Sequence, residues 1–414
     1  MESNHFITFD EFLKGIATAR HEDFVARGAT VSDPAEFEKM RRHILSLYEG
    51  ISARHSFVEN GGSYIDCIPI DQQPGARAAG GKIAEPPAFF SKSTPPAAGR
   101  KLVEPPLRRG RKDSFSNEQY CPDGTIPMRR ITLEEMSRFK SLDHFFQRGR
   151  WAKGHPRETR LNGRDAAGAH RYAHAYQDVN NNGGHTWLNV WDPNDSFSLS
   201  QCWYAAFNSA NEVQTTECGW QVYPDKYQTS APCLFIYWTA DGYQTTGNYN
   251  LDAPAFIQTD NSWVLGGAFG NWSTPGGGQV GFGVQYQQDS SGNWWLILGG
   301  FAAGDSGSVV IGYYPASLWS GTQMASFATV IDYGGEVAPS DGSATGPMGS
   351  GAFASAGFGN AAFQTEIGYL PQGVFDIVQA TLTPDETNPD YYTIQTFNDP
   401  NDGPSFYFGG PGGA

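Results

Sequence analysis

Hydrophobic positions recur along this chain with two different periods. Between residues 5 and 60 they keep helical spacing, and Phe37, Met40, Ile44, Leu47 and Tyr48 fall on one face. Just ahead of them, Asp33, Pro34, Ala35 and Glu36 supply an N-cap, a proline at the first helical position and an acid in the first turn. Thr132 to Glu135 reads as a capping box and predicts another helix. From about residue 168 the texture changes to strands. Thr186–Trp191, Leu199–Phe207, Val213–Tyr223, Cys233–Thr239, Gln279–Gln287, Trp294–Leu298, Ser308–Tyr313 and Phe327–Tyr333 are β-rich runs bounded by Asn, Asp, Gly and Pro. Many carry aromatic residues on both faces. So many runs with no helical pattern between them predict a mainly β, antiparallel sandwich or barrel, preceded by a helical and irregular N-terminal region.

The stretch 71–112 fits neither period. It has proline pairs at 86–87, 95–96 and 105–106 and a basic cluster of Arg108, Arg109, Arg111 and Lys112, which reads as an extended linker. Three units follow from this: a helical region over 1–60, a segment over 61–165 containing the linker, and a β domain over 166–414. Gly-rich stretches near 275–283 and 346–359 read as bulges or loops.

Charge sharpens that division. Residues 1–171 hold 27 of the 28 Lys and Arg beside 22 acids, whereas the rest holds Lys226 alone beside 21. Such a boundary suggests two units with different roles. A domain with almost no basic groups gains little positive charge as its carboxylates protonate, so self-repulsion in acid stays small. The basic first part could sit on the acidic second part near neutral pH and loosen in acid. Nucleic acid is excluded as a partner of the large acidic half, which would repel phosphate. No run of about 18 apolar residues spans a membrane, and no basic start followed by an apolar stretch marks a secretion signal. Cys67, Cys121, Cys202, Cys218 and Cys233 lack the spacing of a zinc site and allow at most two internal disulfides.

Nucleophilic chemistry fails for want of a base. Gly304 to Ser308 resembles a serine-protease turn, but no histidine follows His185. A cysteine nucleophile meets the same obstacle. His170 and His174 are four apart without a Glu between them, which reads as surface or structural histidine rather than a metalloprotease helix. Carboxylates remain. If Thr216–Val222 and Val330–Val337 are strands, Glu217, Gly219 and Gln221 share one face, as do Asp332, Gly334 and Glu336. A glycine two residues from each acid fits close approach of another backbone, making a peptide-binding floor, or a glycine bulge next to a surface acid.

The strings Ser200-Gln-Cys-Trp203, Glu217-Cys-Gly-Trp-Gln-Val-Tyr-Pro224, Leu234-Phe-Ile-Tyr-Trp-Thr239, Asp241-Gly-Tyr-Gln244, Gly247-Asn-Tyr-Asn-Leu251, Gly334-Gly-Glu-Val337 and Met348-Gly-Ser-Gly351 stand in one order between 168 and the end. Together they resemble the neprosin family, the prolyl glutamic peptidases. Upstream, Ile65-Asp-Cys-Ile68 and the run from Cys121 to Arg130 look like that family's activation segment. The resemblance implies a β-sandwich endopeptidase made as a proenzyme, cleaving after proline at acid pH, with Glu217 and Glu336 as catalytic carboxylates. Its expected partners are proline-containing peptides and its own pro-segment, and it needs no metal or cofactor. This chain departs from the family in having Asn248 and Asp252 where plant relatives have cysteines, and Cys218 where alanine is usual.

Two glutamates meeting across a sandwich could share a proton over a bound amide, one taking a proton from water and the other polarising the scissile carbonyl. Gln221, and less directly Gln201, could donate to the developing oxyanion. Cys67 and Cys121 bracket the linker and are expected to pair. Acid proteolysis and a disulfide favour an extracellular or acidic compartment. The competing readings are a non-catalytic β-sandwich binding glycans or proteins, and a glycosidase, which also uses paired carboxylates.

Overall fold

A computed structural model describes residues 5–87, 99–105, 107, 110–147, 170–193, 196–301, 307–338, 345–374 and 376–413. The proline pair at 95–96, Arg108 and Arg109, and Gly304 to Ser306 of the serine-like turn lie outside the described residues.

The N-terminal third is helical and compact. Helices α1 (Phe9–Thr18), α2 (His21–Val25) and α3 (Pro34–Leu47) bury Phe9, Phe12, Ile16, Phe24, Phe37, Met40, Ile44 and Leu47. Asp33 caps α3 as its position predicts, accepting from the Ala35 N–H at 2.8 Å. Strands β1 (His55–Val58) and β2 (Tyr64–Pro69) form a small antiparallel sheet, completed after helix α4 (Pro74–Ala78) and strand β3 (Arg100–Leu102) by β4 (Thr125–Arg129). Helices α5 (Leu133–Met136) and α6 (Leu142–Phe146) follow. Thr132 caps α5, but the Glu135 carboxylate turns away from the capping box to Arg129, at 3.1 and 2.8 Å, both side chains buried. Arg130 and Asp66 make a second buried pair at 2.6 Å. Removing one partner of such a pair costs about 3–5 kcal/mol, because the other charge stays buried alone.

The β domain begins with β5 (Arg171–Asn189), β6 (Ser198–Phe207) and β7 (Val213–Val222), then α7 (Pro224–Tyr227), β8 (Cys233–Thr239), β9 (Asn248–Tyr249) and β10 (Ile257–Gln258). It continues with β11 (Gln279–Gln288), β12 (Trp294–Gly299), β13 (Ser308–Tyr314), β14 (Ala328–Val337), β15 (Ala362–Pro371), β16 (Val378–Gln379), β17 (Thr383–Glu386), β18 (Thr393–Asp399) and β19 (Gly403–Gly409). The hydrogen-bonded order is β10-β13-β12-β11-β5-β14-β6-β7-β8-β9, with β15 and β17 also on β5, β16 and β19 on β15, and β18 on β19. All strand pairs in the domain are antiparallel except β3 with β11.

The 19-residue β5 ties the two layers together. Its first half pairs with β14 and its second with β11 and β15. This is the strand that switches layers in a sandwich. Gly183 sits at the switch with φ +119, where a Cβ would lie 2.0 Å from the Tyr286 carbonyl oxygen, so a side chain there would prevent the pairing. Between the layers, Tyr204, Tyr286, Tyr333, Cys202, Cys218 and Trp220 are fully buried.

Parts of 71–112 are packed elements rather than extended linker. Pro74, Gly75 and Ala76 of α4 are buried, and a Cβ at Gly75 would fall 2.2 Å from the Phe256 carbonyl oxygen, so glycine is what lets α4 lie on β10. The Gln73 side chain pairs with the Gln258 backbone like an extra rung, at 2.8 and 2.7 Å. Arg100 reaches Glu366 at 2.8 Å and Asp402 at 3.2 Å with its guanidinium over Trp187. The expected Cys67–Cys121 disulfide is formed, while Cys202, Cys218 and Cys233 are free and buried. One apolar core runs through both the helical region and the sandwich. Among the described residues no helix is long and apolar enough to cross a membrane.

Candidate active site

The register of four neighbouring strand pairs defines a face. Across β5, β14, β6, β7 and β8 the first row is Tyr176, Asp332, Trp203, Glu217 and Tyr237. The second is His174, Gly334, Gln201, Gly219 and Phe235, and the third is Tyr172, Glu336, Leu199, Gln221 and Cys233. Directly opposed residues project to the same side of a sheet. Glu217 and Glu336 therefore share one side, on the two strands that flank β6, with the row of Gln201 between them. Two strand spacings separate them by about 10 Å sideways, and four residues offset them by about 14 Å along a flat sheet. The two acids frame the middle row from opposite corners.

Each carboxyl is held by its own donors. Glu217 is fully buried and takes hydrogen bonds from the Thr215 and Tyr243 hydroxyls, both at 2.7 Å. Tyr243 arrives from the β8–β9 loop with φ +61, a left-handed conformation uncommon outside glycine. Asp241 secures that loop by accepting from Thr245 and Thr246, through backbone and hydroxyl groups at 2.5–3.2 Å. Burial works against the Asp241 charge, yet these donors lower its pKa overall. Glu336, also fully buried, takes the Gln201 amide at 3.3 Å and contacts the His170 ring. His174 lies on the same side, with Nδ1 2.6 Å from Asp332 and Nε2 3.1 Å from Asp385.

Several expectations change here. His170 and His174 are not surface residues: both are buried, and both engage carboxylates on this face. The glycines do mark close approach, but of neighbouring strands. A Cβ at Gly219 would fall 1.9 Å from the Ser200 carbonyl oxygen, and one at Gly334 would fall 2.5 Å from the His174 Cα. Gln221 shares the face, but its amide donates to the Tyr227 hydroxyl at 2.6 Å. Gln201, expected to be the less direct donor, stands in the middle row. Tyr243 is a site residue that spacing does not single out, and the only signal of it is its place in the Asp241 to Gln244 string. The segment ahead of the β domain reaches this face too, since the Tyr237 hydroxyl, opposite Glu217, donates to the Phe146 carbonyl at 3.0 Å. Among the described residues no group of side chains is set to hold a metal ion.

In a search of solved structures, two of scytalido-glutamic peptidase align at 10% identity, one with a peptide-based transition state analog and one with a transition state analog inhibitor. They cover 59% and 58% of this chain and 98% of each of those chains, with TM-scores of 0.30 and 0.28. Residues 194–411, just over half the chain, match the family described as Neprosin. The match takes in β6 to β19, and with them both acids of the face. The chain belongs to the neprosin family.

Proposed function

We propose that this protein is an acid-acting endopeptidase that cleaves preferentially after proline, is made as a proenzyme, and uses Glu217 and Glu336 as its catalytic carboxylates. The observation that carries this reading is the pair of fully buried acids on one face, framing the row of Gly334, Gln201 and Gly219. On a flat sheet their α-carbons stand about 17 Å apart, so the two side chains must lean toward the middle row for one water and one scissile amide to bridge them.

Glu336 is the base. Its neighbour one row along on the face is His174, whose ring both Asp332 and Asp385 engage, and positive charge favours an ionised carboxyl. It takes a proton from water as the water oxygen adds to the scissile carbonyl carbon. Glu217, two strands from Asp332 and taking the Thr215 and Tyr243 hydroxyls, is the acid. It hydrogen-bonds the carbonyl oxygen and then gives its proton to the departing nitrogen as the C–N bond breaks. The Gln201 amide steadies the oxyanion. The rings of Tyr172, Tyr176 and Trp203 on the same face offer packing for proline. The segment 61–165, with Phe146 against Tyr237, stands as the pro-segment.

A proline-containing fluorogenic peptide assayed between pH 3 and 5 tests the reading. Glu217→Gln and Glu336→Gln should each lower kcat/KM at least about 100-fold while the thermal midpoint holds. Full activity in either variant would remove that residue from the chemistry. Hydrolysis of a glycan in place of the peptide would transfer the site to sugar chemistry.

A further inference from the structure

On the proposed catalytic face, β5 and the residue before it present His170, Tyr172, His174 and Tyr176 in succession, with ring centroids 6.2, 6.1 and 6.0 Å apart. His174 alone of these has both ring nitrogens on carboxylates, Nδ1 on Asp332 at 2.6 Å and Nε2 on Asp385 at 3.1 Å. A carboxylate accepts and does not donate, so both nitrogens carry protons and the ring is an imidazolium. The arrangement depends on Gly334, the register partner of His174, because a Cβ at 334 would fall 2.6 Å from the His174 Cβ. Glycine lets β5 press against β14 at the point where the ring crosses to Asp332.

The groups around this ring come from four strands. β14 supplies Asp332 and Glu336, β17 supplies Asp385 with Glu386 next along, β6 supplies Trp203, and β5 itself supplies Tyr172 and Tyr176. Asp332 is buried, and Asp385 is about one-quarter exposed. Glu336 lies one diagonal step from His174, a separation of about 7–8 Å between α-carbons. Asp332 lies on the far side of Gly334 from Glu336. His170 touches Glu336 directly; of the bridged pair, the His174 backbone lies nearer to the proposed base than that of Asp332.

We propose that His174 is a positioning residue for the glutamate pair: a buried imidazolium, bridged between Asp332 and Asp385, that keeps Glu336 ionised further into acid than an uncharged neighbour would. This rests on the peptidase reading above. Burial opposes the charge on the ring, but Asp332, by charge and hydrogen bond, and then Asp385 outweigh it and hold its pKa at about 9. The ring is thus a cation over the whole acid range.

The test is the pH dependence of kcat/KM on the proline peptide, measured with the full chain after acid incubation. In His174→Gln the acid limb should move up by about one pH unit, the size of effect expected from losing a unit charge at that separation. In Asp332→Asn, which removes the negative neighbour and keeps the shape, the limb should move down. His174→Lys, which restores a cation, should recover part of the acid activity lost in His174→Gln. If both variants merely lose activity by one factor at every pH, His174 does not tune Glu336 and the cluster is structural. Should His174→Gln not fold, the limb of Asp332→Asn decides between the two outcomes by itself. A wild-type chain inactive at every pH, or an active Glu336→Gln, would defeat the peptidase reading itself, and the role of His174 with it.

Discussion

At the scale of single residues, this site is built by burying charge and then satisfying it. His174 shows the thermodynamic side. Its pKa is raised from 6.5 in the unfolded chain to about 9 in the fold, so folding holds a proton that the unfolded chain would release between those values. The resulting stabilisation is complete below pH 6.5 and is lost as pH rises through about 9. Calorimetry should show the thermal midpoint falling between pH 6.5 and 9 in the wild type, and that part of the fall absent in His174→Gln. The full effect is on the order of 3 kcal/mol. Glu217 and Glu336 are legible through the strings that resemble the neprosin family, whereas their spacing from a glycine alone fits a bulge beside a surface acid equally well. The partners of Tyr243 and His174 are not legible. One depends on a loop that swings a hydroxyl back onto β7, the other on a register that places Asp332 and Asp385 on either side of one ring. Neither relation leaves a trace in local spacing.

Among secondary-structure elements, strands with strong β-branched and aromatic content are legible, and β8 spans the residues its pattern predicts. The part of β5 before Thr186 is not. Gln177 to Gly184 is a polar, Asn- and Gly-rich run without β pattern, yet in the fold it is where the strand passes from one layer to the other. β17 and β18 are illegible for a related reason: they lie at the exposed margin and bury too little to show a pattern. The helices are legible through their caps. What caps cannot reveal is that α3 docks on the β domain through His43, whose Nε2 is 2.8 Å from the Asp252 carbonyl oxygen. Burial, helped by the nearby Lys226, lowers the His43 pKa below 6.5, against the pull of Asp252. The ring docks neutral and must charge as pH falls below 6.5, which penalises the docked state in acid. His43→Asn keeps a neutral donor and should shift acid release of the helical region to lower pH. Size-exclusion chromatography of cleaved, reduced protein across pH 3–7 would show it, and an unchanged release curve would count against a role for His43.

For the whole molecule, the charge boundary near residue 171 corresponds to a physical contact between the basic region and the acidic sandwich. Arg100 on Glu366 and Asp402 is a buried ionic link across it. Such links weaken as carboxylates protonate, which is the expected direction for a proenzyme activated by acid. Incubation at pH 4 followed by mass spectrometry should reveal cleavage after a proline in or near 71–128. Fragments cut between Cys67 and Cys121 should stay joined until reduction, because those two cysteines are bonded. An intact chain after such treatment, or cuts confined to basic residues, would rule out self-processing.

Lys226 lies under the helical region, fully buried, with its ammonium 2.6 Å from Asp252 and 3.8 Å from the centre of the Phe145 ring. Every other lysine precedes residue 154. Were everything ahead of the β domain removed, Lys226 would be the one lysine left, and loss of α6 would uncover it at the same moment.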